Sequence, residues 1–543
     1  MKFTFLLAVL LSYHVMANAQ SVNIIPKPQQ LTINSGSFTL SSATVIVADE
    51  ADLNSINFLN DYLQSYYGFT VKRSAQAEKN VIRLSTSTSS GNTEGYQFSS
   101  TPATITITGN SHQGTFYGLQ TLLQLLPVEK TSMLKIASIT AKDEPRFKYR
   151  GLMLDVGRHF MPVSFVKKYI NYIALFKLNT FHWHLTDDQG WRIEIKKYPR
   201  LTSVGGFRDG TVIGHYPGTG NDNKPTGGFY TQEEIKEIVR YAQDRFVTII
   251  PELELPGHAS AAIAAYPELS CFPKEPTKIN GANTLSVGAL AKQAGGIAKV
   301  VQETWGIFPD VFVPTDSTFT FLENVLDEIM PLFPSKYMHI GGDECPKESW
   351  KRSPFCQQLI KSHNLKDEHG LQSYFIQRIE TYVNSKGKKI IGWDEILEGG
   401  LAQNATVMSW RGEQGGIDAA KLGHDVIMTP GKYVYFDHNQ LKENDTLTIG
   451  GYLPLKQVYD YNPIPAALTA AEGLHVLGAQ ANVWTEYMVS QAKIEYMIFP
   501  RLAALAEVLW TQPENKNWDN FLKAVPVTLG KLKAMNVNYC PKY

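Results

Sequence analysis

The apolar positions along this chain follow two rhythms, and the change between them falls near residue 145. Before it, short alternating runs over Ala43–Val47, Val81–Leu84 and Ala103–Thr108 predict β-strands. Leu119, Leu122, Leu123 and Leu126 recur at helical spacing within 114–126, and a second helical pattern covers 52–67. Strands and helices mixed over so short a span predict a small α+β domain at 20–144, an open sheet with helices packed on one face.

Beyond that point the pattern is strand then helix, repeated. Strands are predicted at Arg150–Asp155, Asn179–Leu185, Val247–Glu252, Tyr337–Gly341, Lys389–Trp393, Thr406–Trp410, Asp425–Met428 and Val476–Gln480. Thr231-Gln-Glu-Glu234 reads as a capping box opening a helix that runs to Phe246, because each of the two side chains can satisfy a free backbone N–H. Helical spacing recurs over 163–176, 371–385 and 494–509. Eight such units predict an α/β fold, a (β/α)8 TIM barrel over 145–512. A doubly wound sheet would normally carry a Gly-rich phosphate turn after its first strand, and Leu154-Asp-Val-Gly-Arg-His159 is not one. The stretch from 258 to 334 predicts an elaborated loop over the barrel mouth, and 513–543 a helical tail packed on the barrel's outside.

Charge and composition narrow the partners. Lys plus Arg and Asp plus Glu number 51 each, so no global field recruits nucleic acid or an acidic membrane surface. Lys2, the apolar run Phe3–Leu11 and the small-residue site Ala17-Asn-Ala19 predict a signal peptide at 1–19. The expected product is therefore exported, to the periplasm or the extracellular space. The run is too short to cross a bilayer, so membrane insertion is not expected. Four cysteines allow three pairings, and the spacing of Cys345 and Cys356 is compatible with a loop-closing disulfide. None forms a Cys-x-x-Cys metal motif.

In a barrel, reactive side chains lie just past the carboxyl ends of the strands. Those positions hold Asp155, Arg158 and His159; Asp187 to Arg192; Glu252, Glu254 and His258; Asp343 and Glu344; Trp393; Trp410; Tyr435 and Asp437; Trp484 and Glu486. Carboxylates with indoles suit sugar chemistry. Aromatic faces stack on the C–H faces of a pyranose, and carboxylates bond hydroxyls and do acid–base work. Two glycines ahead of Asp343-Glu344 permit a tight turn, and adjacent carboxyls can address different parts of one sugar. An ionised Asp343 is expected to raise the pKa of Glu344 and keep it protonated.

Five long motifs carry a resemblance: Tyr149-Arg-Gly-Leu-Met-Leu-Asp155, Arg158-His-Phe160, His184-Leu-Thr-Asp-Asp-Gln-Gly-Trp-Arg192, Pro251-Glu-Leu-Glu-Leu-Pro-Gly-His258 and His339-Ile-Gly-Gly-Asp-Glu344. With the stretch His112–Thr121, the chain resembles glycoside hydrolase family 20, the β-N-acetylhexosaminidases and chitobiases. The resemblance implies exo hydrolysis of terminal β-linked N-acetylhexosamine from oligosaccharides or glycoconjugates, with retention and no cofactor or metal. The substrate's own acetamido oxygen would attack the anomeric carbon. It further implies that Asp343 orients the acetamido group and that Glu344 is the general acid and base. Asp187 and His258 would tune that acid, with Asp188 an alternative to Asp187. Arg150 would grip O3 and O4, with Glu486 assisting. Trp393, Trp410 and Trp484 would wall the sugar, Tyr435 would donate to the acetamido carbonyl, and Asp437 would bond O6.

Two readings of another class compete. His182-Trp-His184 has a spacing used for metal ligands, and His258 and His339 could join it, which would suit a metal-dependent hydrolase. A sugar-binding protein that kept the fold without turnover is the other, which the presence of both acid–base candidates disfavours.

Overall fold

The computed structural model describes residues 22–87, 91–278, 285–443 and 446–543; the expected leader lies outside the described residues. Between Gln30 and Asp143 seven strands form one mixed sheet. Its spatial order is Gln30–Leu40, Leu134–Asp143, Tyr96–Ser100, Thr104–Gly109, Val81–Thr86, Val45–Val47 and Lys72–Arg73. Thr104–Gly109 shows the strict alternation that its sequence predicts, every second residue being buried. Helices Leu53–Tyr67 and His112–Leu125 belong to this unit, the second capped by Ser111 Oγ on the N–H of Gly114. The long edge strand Gln30–Leu40 escaped prediction because most of its residues are exposed, so apolar alternation is missing.

Eight parallel strands then close a barrel. They are Tyr149–Asp155, Thr180–His184, Thr248–Leu255, Tyr337–Gly341, Lys389–Trp393, Thr406–Ser409, Val426–Met428 and Val476–Ala481, the last pairing with the first. All eight overlap the predicted runs. Nearly every strand residue is buried, as expected where helices cover the outside and side chains fill the inside. Tyr149, Ile250, Tyr337, Ile391, Met408 and Ile427 pack within the barrel beneath Trp393. Outside run helices that include Val163–Leu175, Gln232–Gln243 and Glu368–Ser385, and the Thr231/Glu234 capping box forms as read. The helix expected over 494–509 is two, Gln491–Ile498 and Arg501–Trp510. Pro500 separates them, since it has no N–H to donate and its ring crowds the preceding turn. A last helix spans Trp518–Ala534. Among the described residues no helix is long and apolar enough to cross a membrane.

The small unit and the barrel share a buried polar seam at the amino-terminal ends of the barrel strands. Lys177 Nζ reaches Asp143 Oδ2 at 3.0 Å and Tyr96 Oη at 2.7 Å, and Trp510 Nε1 donates to Asp143 Oδ1 at 2.8 Å. Arg150 lies in this seam. It donates to the carbonyls of Lys177 and Phe147, both at 2.8 Å, and to Tyr117 Oη at 3.0 Å, and it pairs with Glu94. The assignment of Arg150 as a sugar grip is therefore corrected. It stands at the start of strand one, some five residues, or roughly 17 Å of strand, from the end that carries chemistry.

A Cys345–Cys356 bridge does not form either. All four cysteines are free, and Cys356 Sγ lies 3.9 Å from Cys271 Sγ.

Candidate active site

The carboxyl ends of the barrel strands frame a cavity of about 450 Å³. Arg158, Asp343, Glu344, Trp393, Trp410, Tyr435, Asp437, Trp484 and Glu486 form its floor and walls. Of the predicted site residues, Asp187 and His258 lie directly behind this lining, and Arg150 alone is elsewhere.

Backbone geometry delivers the acidic pair. Gly341 and Gly342 adopt φ of 65° and 98°, and a Cβ on Gly341 would stand 1.9 Å from Glu254 Oε2. Only glycine fits there. Glu344 and His258 themselves hold left-handed φ values of 45° and 48°, strain of the kind that concentrates at functional sites.

His258 joins the acidic pair to a second one. Its Nδ1 faces Asp188 Oδ2 at 3.0 Å and Asp187 Oδ1 at 3.3 Å, and its Nε2 faces Glu344 Oε2 at 3.5 Å and Asp343 Oδ2 at 3.7 Å. Both members of Asp187-Asp188 thus address the imidazole. Asp188 also accepts the N–H of Ser260, and Asp187 also pairs with Arg158 at 2.9 Å. Burial alone would strip the proton from His258, but Asp187 and Asp343 outweigh it and hold the ring as imidazolium.

That cation reverses an expectation about the acidic pair. Burial pushes the Asp343 carboxyl up to about 6, helped by Glu344 and opposed by His258. For Glu344 burial also raises, yet the His258 hydrogen bond and charge, with Arg158, hold it below the ordinary value. Asp343 was expected to keep Glu344 protonated; in the open cup the order is the other way, because Asp343 is nearly buried while a third of the Glu344 side chain is exposed.

Arg158 takes the place at the cup that Arg150 does not. It follows strand one, rests on Asp187 and Asp155, donates its Nε–H to Gln189 Oε1 at 3.1 Å, and lies 5.1 Å over the Trp484 ring. Its position among the strand-end residues was the available signal. The aromatic walls are braced in turn. Trp393 and Trp484 lie 5.8 Å apart at 45°, and Trp410 runs nearly parallel to Tyr435 at 6.2 Å. Trp410 Nε1 donates to Glu395 Oε2 at 3.0 Å, a residue the strand-end reading missed. Burial, then the charge of Asp343, pushes the Glu395 carboxyl up to about 8. Asp437 is raised well above the usual range by burial and by Glu486 beside it. Asp343 Oδ1 and Asp437 Oδ1 are buried and find no hydrogen-bond partner among the described residues. Buried acceptors left open inside a cup are what a polyhydroxylated ligand would satisfy.

Beneath the cup, His182, Glu252 and His339 converge closely enough to be considered as metal ligands. His182 Nδ1 takes an N–H from Gln480 at 2.9 Å, which leaves the proton on Nε2, 2.9 Å from Glu252 Oε2. That sets a neutral imidazole beside a carboxylate, with the Nδ1 lone pair of His182 already engaged by Gln480. His184 is likewise held between Asp155 at 3.3 Å and Glu254 at 3.0 Å.

A barrel whose mouth joins paired carboxyls to an aromatic cup is the architecture of a glycoside hydrolase. The comparisons agree. The glycosyl hydrolase family 20 catalytic-domain model matches residues 147–513, and the model of that family's domain 2 matches 21–144. The chain belongs to glycosyl hydrolase family 20. It is 46% identical over 535 residues to a β-hexosaminidase of Porphyromonas gingivalis, an alignment covering 96% of this chain and 64% of that protein. A β-hexosaminidase of Vibrio furnissii is 35% identical over 90% of this chain and 76% of its own length. Among solved structures, the family 20 exo-β-N-acetylglucosaminidase of Vibrio harveyi in complex with N-acetylglucosamine superposes with a TM-score of 0.82. It is 32% identical, covering 95% of this chain and 78% of that one.

Proposed function

We propose that this protein is an exported, exo-acting β-N-acetylhexosaminidase that removes terminal β-linked N-acetylhexosamine with retention, using the substrate's acetamido group as nucleophile. The observation that carries the reading is the convergence of Asp343, Glu344 and the His258 imidazolium at one aromatic-walled cup. The acetamido oxygen attacks the anomeric carbon as the glycosidic bond breaks, giving an oxazolinium-type ring. Asp343 accepts the amide N–H and offsets the charge that grows there. Glu344 hands its proton to the leaving oxygen, then takes one from the incoming water. A bound sugar covers the exposed third of Glu344, and the lost hydration lifts its pKa toward the protonated state that this role needs. Arg158 with Glu486 takes the sugar hydroxyls assigned above to Arg150, and Asp437 takes O6.

Hydrolysis of a chromogenic N-acetyl-β-glucosaminide, set against the matching glucoside without the acetamido group, tests the reading. Only the first should turn over; equal rates would contradict participation. The pH profile adds a sharper test. Asp343 acts as an anion, and its carboxyl is raised to about 6, so the ionised fraction disappears as pH falls through that value. The acid limb of kcat, which reports the sugar-bound state in which Glu344 carries its proton, is therefore expected near pH 6. A limb near the ordinary carboxylate value would show that Asp343 is not the group titrating.

A further inference from the structure

Above the cup, the mouth is built from three loops far apart in sequence. The first is the turn at 211–222, bridged between Val212 and Asn221. The second is the segment around Ile307. The third is the loop after strand seven that carries Ile449. Tyr216, Ile307 and Ile449 are 42%, 45% and 42% exposed, yet all three line the same cavity as the acidic pair. Single exposed apolar residues are ordinary on a protein surface, but three from separate loops gathered round one opening are not.

The loops are also fastened to one another. His215 stacks on Tyr487 with ring centroids 5.5 Å apart and planes 8° from parallel. His215 Nε2 faces the carbonyl of Ile449 at 3.1 Å, and the Tyr216 N–H donates to Tyr487 Oη at 3.0 Å. At its base the turn is tied by the Val212 N–H to the carbonyl of Glu303 at 2.9 Å. The rim is therefore a braced apolar collar. The charged residues that line the cavity, Arg158, Asp343, Glu344, Asp437 and Glu486, all follow barrel strands directly and sit in the cup, so among the described residues these rim loops put no carboxylate, lysine or arginine into the cavity lining.

From this we infer that Tyr216, Ile307 and Ile449 form the binding surface for the leaving side of the substrate, and that they select a neutral pyranose there by contact with its C–H face. This rests on the proposed hydrolase activity. An apolar collar gains contact energy from an uncharged sugar face, whereas a sulfate or carboxylate on that sugar would be drawn out of water with no cation to receive it. The three residues determine specificity; they do no chemistry.

The test uses the full chain and its Tyr216→Ser, Ile307→Ser and Ile449→Ser variants, singly and combined. One probe is N,N′-diacetylchitobiose, which fills cup and collar. The other is the thiazoline analogue of N-acetylglucosamine, a competitive ligand small enough to occupy the cup alone. The combined variant should lose about 5–30-fold in kcat/KM for the disaccharide, mostly through KM, while its thiazoline inhibition constant stays within about twofold of wild type. Unchanged disaccharide kinetics would overturn the assignment. So would a matching loss of thiazoline affinity, because the collar would then merely support the cup. A wild type that neither cleaves the disaccharide nor binds thiazoline would remove the hydrolase reading, and the collar's role with it.

Discussion

Glu344→Gln is expected to fold as the wild type does and to lose about 10²–10⁴ in kcat/KM on a disaccharide substrate. The amide keeps the shape of the side chain, and with a third of that side chain exposed the substitution leaves no buried group stranded. What it removes is the proton. A departing sugar alkoxide is a strong base and cannot leave without one, whereas a nitrophenolate can. The loss should therefore be much smaller on a nitrophenyl glycoside, with an unchanged thermal midpoint. Equal losses on both leaving groups would assign Glu344 some task other than proton donation.

Asp343→Asn is expected to cost about 10²–10³ in kcat on both kinds of substrate. In the proposed mechanism the negative charge it deletes faces the acetamido nitrogen rather than the leaving oxygen, so the quality of the leaving group offers no relief. Its consequences reach His258, whose Nε2 lies 3.7 Å from Asp343 Oδ2 and whose protonated state leans on Asp187 first and Asp343 second. The variant should lose the acid limb near pH 6 that the raised Asp343 carboxyl produces in the wild type. If that limb survives unchanged, another group sets it, and the electrostatic role assigned to Asp343 is wrong.

The barrel was readable because its strands are buried on both faces, which writes them as apolar runs separated by capped helices. The acidic pair was readable for a related reason: Gly341-Gly342-Asp343-Glu344 sits where a strand ends, and chemistry at strand ends needs no knowledge of what lies opposite. Arg150 shows the limit of motif matching. Two arginines flank strand one, both buried and both held by carboxylates, and only direction along the strand separates the domain seam from the cup. The relative acidity of Asp343 and Glu344 was misjudged because it depends on a cation from the loop after strand three, which pairs unequally with groups of unequal burial. Of the collar, only the placement of the 258–334 stretch over the barrel mouth could be read. Tyr216, Ile307 and Ile449 belong to loops with no periodicity, and only the closed barrel brings them round one opening. Helix boundaries failed where a single residue overrode the pattern, as Pro500 does.

The claim on which the whole account turns is that the bound sugar supplies its own nucleophile while Asp343 steadies it. Replacing the acetyl hydrogens of a nitrophenyl substrate with one, two and three fluorines leaves its size nearly constant and drains electron density from the amide oxygen. The account predicts a steep, progressive fall in kcat/KM across that series. A flat series would mean that the amide oxygen does not attack, and that the nucleophile lies elsewhere.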